Sequence, residues 1–422
     1  MAPDPHVVAA AAVAGPWRLD ALVERLAEHA GWGGPDEIGL VAAGLLQRWV
    51  RPPRGRPSWV AAEVADLLGE RPRRRHVVPD EPPAPRWRWP VAAWTGFDDL
   101  ARGLDLRPGE LDWFADTGGW LRRAPDGPLH HYRRRWVPST SGARLLESPG
   151  PRLAELQRRV GRRVLARIPV HDAAHGYVRG RSPHTLAAAH AGRGMVVRMD
   201  LEGFFAHVTG ARTAGLLRTA GYPPAVAAAL AGLLVTAAPP AVLRAAPPGD
   251  DARRRLLQRL AAPHLPQGAP TSPAVANLLA HRLDRRLHGL AAAVGARYGR
   301  YADDLVFSGD AGLPVHGLVA RAGAIAAEEG FRVRPDKTRV QPAHHRQRVT
   351  GLVVNADPAP SRADYDALRA LLHNCARTGP DTQNRAEHPA FRDHLLGRIA
   401  WIGSGRPARA ARLRALFEAI SF

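Results

Sequence analysis

The residues best suited to chemistry are three aspartates placed where strands are expected to end. Met195-Val196-Val197-Arg198-Met199 has the pattern of a short strand. Asp200 follows it directly, before Leu201-Glu202-Gly203-Phe204-Phe205 turns away. Arg297–Ser308 reads as a hairpin, with Asp303 and Asp304 in a tight turn before the apolar return strand Leu305-Val306-Phe307. Adjacent carboxylates in such a turn repel each other and lose hydration, so a cation is expected to compensate them. With Asp200 from a neighbouring strand the set becomes hard and all-oxygen, which suits Mg2+. Two such ions can clamp the attacking and leaving oxygens of an in-line phosphoryl transfer. Taken alone, an acidic pair in a turn is equally compatible with an ordinary solvated loop.

A second signal is a count. Of 59 basic residues, Lys337 is the only lysine. It follows Asp336, so no Walker A loop exists, and neither G-x-S-x-G nor H-E-x-x-H occurs. A lysine that survives where every other basic position is arginine is a candidate proton donor, because an ammonium titrates and a guanidinium almost never does. Chance survival explains the count equally well. His171-Asp172-x-x-His175 has a spacing that could bind metal, but no further ligand lies nearby and the pair reads as structural.

These residues need a scaffold, and the chain is long enough to supply two or three domains. It has 422 residues, 45% of them apolar, and a net charge of +20. A globular chain this basic is expected to meet a polyanion, most often nucleic acid. The single cysteine, Cys375, excludes an internal disulfide framework and a multi-cysteine zinc site. The apolar runs Val7–Gly15 and Ala225–Ala238 are too short to span a membrane, and no Arg or Lys precedes the first. A cytoplasmic protein with no membrane partner is therefore expected.

Ten of the eleven tryptophans lie at or before Trp136, so the composition shifts after the first third. Residues 1–69 read as short amphipathic helices, such as Leu19–His29 and Ser58–Leu68. Residues 70–91, rich in Pro and Arg, read as a linker. Residues 93–120 are helical by pattern with a break at Pro108-Gly109, and a Pro-rich loop is expected over Ala237–Asp251. Between the acids, His264–Leu278 holds one Gly and three Pro as a constrained loop before an apolar helix, whose first amides can approach a flat or anionic ligand. Residues 361–422 are again helical, with Leu368, Leu371, Leu372, Leu395, Leu396, Ile399 and Ile402 at helical spacing.

In this order the motifs become specific. Asp200 with Phe204-Phe205, Leu265–Pro273 (LPQGAPTSP), Tyr301-Ala302-Asp303-Asp304, and Gly330-Phe331 leading to Lys337-Thr338 resemble the palm of reverse transcriptases, and more narrowly those of bacterial retrons. Val349-Thr350-Gly351 resembles the element such enzymes use to recognise their own RNA. Arg167–Arg181 is similar to their fingers–palm junction, Tyr132–Pro149 to their fingers, and Gly109–Asp116 to an upstream segment of longer members. The resemblance covers roughly residues 93–422.

The resemblance implies an α+β right-hand polymerase fold: fingers and an antiparallel palm over 92–345 and a helical thumb over 346–422, behind an N-terminal helical extension. It implies an RNA-directed DNA polymerase that copies a structured non-coding RNA with deoxynucleoside triphosphates, works with an effector protein and serves antiphage defence. Asp200 and Asp303 would hold two Mg2+ ions with Asp304 as a weaker partner, and Lys337 would protonate the departing pyrophosphate. Arg144 would bind the triphosphate, Gln267 and Gly268 would line the nucleotide pocket, and Phe205 would exclude a ribose 2′-hydroxyl. His190, Val349, Thr350 and Gly351 would contact RNA. A non-retron bacterial reverse transcriptase and a non-catalytic RNA-binding scaffold on the same fold are the alternatives.

Overall fold

The computed structural model describes residues 4–30, 35–48, 57–68, 86–121, 127, 130–139 and 142–422. The chain divides into two compact units, Met1–Ala84 and Pro85–Phe422. The first contains the helices Pro5–Val13, Leu19–Ala30, Pro35–Arg48 and Pro57–Leu67. The expected helices over 19–29 and 58–68 are therefore present within a residue. Leu22, Leu26, Val41, Leu45, Val60 and Val64 close a core of its own. The start of the expected linker, residues 70–85, lies outside the described residues.

In the second unit, Phe97–Gly103 and Pro108–Ala115 are helices, and Pro108 opens the second, where its missing N–H costs nothing. A hairpin follows, β1 (Tyr132–Ser139) and β2 (Gly142–Pro149), antiparallel from Tyr132↔Pro149 to Ser139↔Gly142. The central sheet has four strands: β3 (Met195–Leu201), β4 (Arg297–Tyr301), β5 (Asp304–Gly309) and β6 (Val333–Pro342). Their order is β4-β5-β3-β6, and every neighbouring pair is antiparallel.

Strand β3 is apolar over most of its length because both faces of the sheet are covered. Val197, Met199 and Leu201 pack with Leu283, Leu287 and Leu318 of the helices His281–Ala293 and Val315–Glu328. Val196, on the other face, joins Leu186, Val306, Val349 and Leu352 in a smaller cluster. Asp200 and Arg198 share the parity of Val196, so the sheet presents its charges on the face away from the helices. A third core, with Leu368, Leu372, Leu395, Ile399 and Ile402, joins the C-terminal helices Arg362–Thr378, Phe391–Gly403 and Pro407–Glu418. One expectation needs adjustment. The Pro-rich stretch 237–251 is not wholly a loop, because Pro239-Pro240 opens the short helix Pro240–Arg244. Among the described residues no helix is long and apolar enough to cross a membrane.

Candidate active site

The three aspartates meet at one corner of the sheet. Asp200 pairs directly with Asp304 across β3 and β5, and the Leu201 amide donates to the Asp303 carbonyl at 2.9 Å. Asp303 occupies a two-residue turn with Ala302, whose φ is +55°. Burial pushes the Asp303 carboxyl up to about 6, and the charges of Asp200 and Asp304 push it the same way. Asp200 is also raised by burial, against the pull of Lys337.

Two cations balance the acids. The Lys337 ammonium donates to Asp200 Oδ1 at 3.3 Å and Oδ2 at 3.4 Å. The Arg198 guanidinium lies 3.2 Å from both Asp304 oxygens. A bulge brings Lys337 there. On β6 the pairing jumps from Arg339, opposite Arg198, to Arg334, opposite Asp200, so the extra residues around Lys337 face Met199 and leave the ladder. Arg334 bonds Asp336 at 2.7 Å, and the Thr338 hydroxyl donates to the Arg334 carbonyl, which together brace the bulge.

The donor set fits a hard divalent cation. It is all carboxylate, and burial together with the charges of Asp200 and Asp304 raises the Asp303 carboxyl, a strain that a bound cation would relieve. Among the described residues no three acidic, histidine or cysteine side chains are gathered as a finished metal cluster, and Asp200 and Asp304 are each engaged by a cation, Lys337 and Arg198.

Behind the turn lies a buried network that the sequence did not announce. Arg300 and Asp284 form a bidentate ion pair at 2.8 and 2.7 Å, and neither side chain is accessible. Arg300 also donates to the Ala302 carbonyl and to Asn277 Oδ1, both at 2.9 Å. Asn277 Nδ2 in turn donates to the Gly176 carbonyl at 2.8 Å. A Cβ on Gly176 would stand 2.6 Å from the Ala302 nitrogen, so only glycine allows this approach. Two elements and a loop therefore clamp the residue before Asp303. The missed signal was an arginine three positions before a candidate catalytic acid. Arg198 was missable for a simpler reason, since it lies inside an apolar strand.

The other expected residues fall into separate groups. Gln267 and Gly268 lie against β2: the Glu147 amide donates to the Gln267 carbonyl at 2.9 Å, and Gly268, at φ +135°, abuts the Glu147 carbonyl. His264 anchors the same loop, with Nε2 2.7 Å from the buried Glu147 carboxylate, which Arg134 also bonds. Arg144 is exposed on β2, opposite Val137. Phe205 is half-buried beside Phe204, which stacks on Phe331 in the main core.

The expected RNA contacts do not share one surface. His190 is fully buried; Nδ1 bonds the Ser308 hydroxyl at 2.7 Å, and burial pushes its pKa down to about 3. As placed it is a neutral core residue that no surface ligand reaches, which corrects its assignment to RNA. Val349 is likewise buried, in the cluster with Leu186 and Leu352. Thr350 and Gly351, at φ +47° and +86°, form the tight turn between β7 (Arg348–Val349) and β8 (Leu352–Val353). The Thr350 hydroxyl donates to the Pro183 carbonyl, and Gly351 is exposed beside Trp401. His171 and His175 form no cluster: His175 Nδ1 bonds Thr185, while His171 Nδ1 accepts from the Ala173 amide.

Comparison with known proteins identifies what the chain is similar to. Residues 146–354 match the family "Reverse transcriptase (RNA-dependent DNA polymerase)". Over 373 residues the chain is 40% identical to the retron Mx65 reverse transcriptase of Myxococcus xanthus, covering 85% of this chain and 81% of that protein. It is 40% identical over 329 residues to the retron Mx162 reverse transcriptase of the same organism, covering 74% and 64%. The retron Ec86 reverse transcriptase of Escherichia coli is 28% identical over 232 residues, covering 55% and 65%.

Proposed function

Since the chain belongs to the retron-type reverse transcriptases, and is thereby an RNA-directed DNA polymerase on the polymerase fold, we propose that it copies its own structured non-coding RNA into DNA at the corner formed by Asp200, Asp303 and Asp304. The observation that carries this reading is the Asp200↔Asp304 register, which sets the adjacent Asp303 at the same edge with a carboxyl raised to about 6. Residues 92–345 serve as fingers and palm, and 346–422 as thumb.

Asp200 and Asp303 would hold two Mg2+ ions, with Asp304, already paired to Arg198, as the weaker partner. A metal held there would supply a lower pKa for the primer hydroxyl and a counter-charge for the transferring phosphate. Lys337 keeps its ammonium at the reacting centre through Asp200 and gives a proton to the departing pyrophosphate. The exposed Arg144 takes the triphosphate with its planar fork. Gln267 and Gly268, fixed on β2, line the nucleotide pocket. Phe205 presses where a ribose 2′-hydroxyl would sit and selects deoxynucleotides.

The RNA serves as template and primer, and synthesis begins from one of its 2′-hydroxyls. Any hydroxyl placed at the acids suffices, so the fold of the RNA selects it. Thr350-Gly351 and the C-terminal arginines between Arg398 and Arg414 grip that RNA, and the product acts with an effector protein in antiphage defence.

Primer extension with Asp303→Asn tests the assignment. The variant should lose DNA synthesis by at least about a thousandfold while its RNA affinity stays near normal. Extension at the wild-type rate with Mg2+ would remove Asp303 from the mechanism.

A further inference from the structure

A groove of about 1080 Å3 opens in the helical layer of the second unit, between the helix Gly210–Ala220 and the start of His281–Ala293. It is remote from the acids in topology. Leu283 and Leu287 are buried in the core that also holds Val197 and Met199, whose side chains lie on the face of β3 opposite Asp200, whereas Arg282 and Arg285 of the same helix are exposed. A ligand bound there does not compete with a primer end.

The groove carries unmatched positive charge. Its two acids are already satisfied, Glu329 by Arg282 at 3.1 Å and Arg286 at 2.7 Å, and Glu328 by Arg286. Arg218 and Arg285 are exposed and have no ion pair among the described residues. Arg212 is half-buried against the Phe331 ring at 4.9 Å, and its one hydrogen bond is a long one to the His207 carbonyl. No carboxylate pairs with it among the described residues, and burial lowers its pKa. A desolvated guanidinium that shares the charge of Glu329 with Arg282 and Arg286 gains from a further anion. An aromatic completes the wall. The Arg88 amide donates to the Ala220 carbonyl at 3.1 Å, which holds Trp89 at the groove's edge with the Arg88 guanidinium 4.9 Å over its ring.

Forked cations beside an indole are the chemistry of single-stranded nucleic acid, in which phosphates meet arginines and a base stacks on an aromatic face. We infer that this groove docks a single-stranded segment of RNA, with its phosphates on Arg212, Arg218 and Arg285 and a base that takes the place of the Arg88 guanidinium over the Trp89 ring. The inference rests on the reading that the enzyme retains its own RNA. The growing DNA end must stay at the acids on the far face of the sheet, so the strand that can be held here throughout synthesis is RNA.

The test uses the full chain saturated with a pre-annealed primer–template, so that a labelled single-stranded oligoribonucleotide of mixed sequence reports on the remaining surface. Arg218→Glu combined with Arg285→Glu should weaken binding at least about tenfold and make the dependence on log salt shallower by about 1.4, the value for two lost phosphate contacts. Trp89→Ala should weaken binding about fivefold or more with an unchanged salt slope. Extension of the annealed primer should stay at the wild-type rate in both. Wild-type affinity and slope in both variants would overturn the inference. So would equal or greater loss for an oligodeoxyribonucleotide, which would make the DNA product the occupant, or loss of a bound protein with RNA affinity intact. A wild-type chain that fails to extend the primer would instead overturn the polymerase reading and leave the groove measurement standing.

Discussion

Asp303 gives the site opposite responses to pH in activity and in stability. Its carboxyl is held at about 6, above the ordinary value of 3.8, by burial first and then by Asp200 and Asp304. Metal binding needs the carboxylate, so turnover should fall as pH drops through about 6, read as single-turnover incorporation at fixed Mg2+. Stability without metal runs the other way. Between pH 4 and 6 the folded state holds a proton that the unfolded state has released, so raising the pH through this window destabilises the fold. Asp303→Asn should remove that dependence and raise metal-free stability at pH 7 by about 1–2 kcal/mol, measured by thermal unfolding in chelator. Phe205 makes a second prediction at this scale. Its ring is half-buried rather than locked in the core, so Phe205→Ala should relax discrimination between deoxy- and ribonucleotides by at least about tenfold while lowering the deoxynucleotide rate less. An unchanged ratio in competition assays would return the ring to a packing role. The acids and the lysine were legible at this scale, the acids because charge next to apolar strands has few other uses and Lys337 because it had no rival. His190 and Val349 were misjudged because a motif names residues without saying which side chains point inward, and both point into the core.

Strands and turns explain how those side chains are held. The hairpin around Asp303 was readable from its apolar return strand, and the register that adds Asp200 agrees with it. The bulge of β6 was not readable, because Val333–Pro342 alternates poorly and nothing in its residues marks where the pairing slips. The Arg300–Asp284–Asn277 clamp was equally hidden, since its members lie on three elements that only the fold brings together. It has a measurable consequence. Asn277→Ala leaves Arg300 and the Gly176 carbonyl each short of a partner, at a cost of about 1–3 kcal/mol. If the clamp orients the Ala302-Asp303 turn, kcat should fall about tenfold with KM for deoxynucleotide little changed, and the Mg2+ concentration for half-maximal rate should rise. A purely structural role would lower the melting temperature and leave both kinetic constants alone.

At the scale of the molecule the chain contains separately closed cores. Leu22, Leu26 and Leu45 shield one another within Met1–Ala84, and the sheet and its helices do so within Pro85–Phe422. Calorimetry should therefore resolve two unfolding transitions, and Asp303→Asn should move only the larger. A single transition that shifts as one would mean that the units are energetically coupled. The Pro- and Arg-rich stretch over 70–91 reads as a linker in the sequence, and the division between the two units falls within it, after Ala84.

The solitary lysine has a practical consequence. A chain with one side-chain amine, and that amine bonded to Asp200, offers amine-directed chemistry a single side-chain address beside its N-terminal α-amine. An acylating fluorophore will mark the reacting corner and the N-terminal α-amine and leave the arginine-covered surface untouched, and a tryptic digest separates the two sites. The labelling rate of the lysine becomes a readout of how firmly that carboxylate holds its partner, available without any substrate.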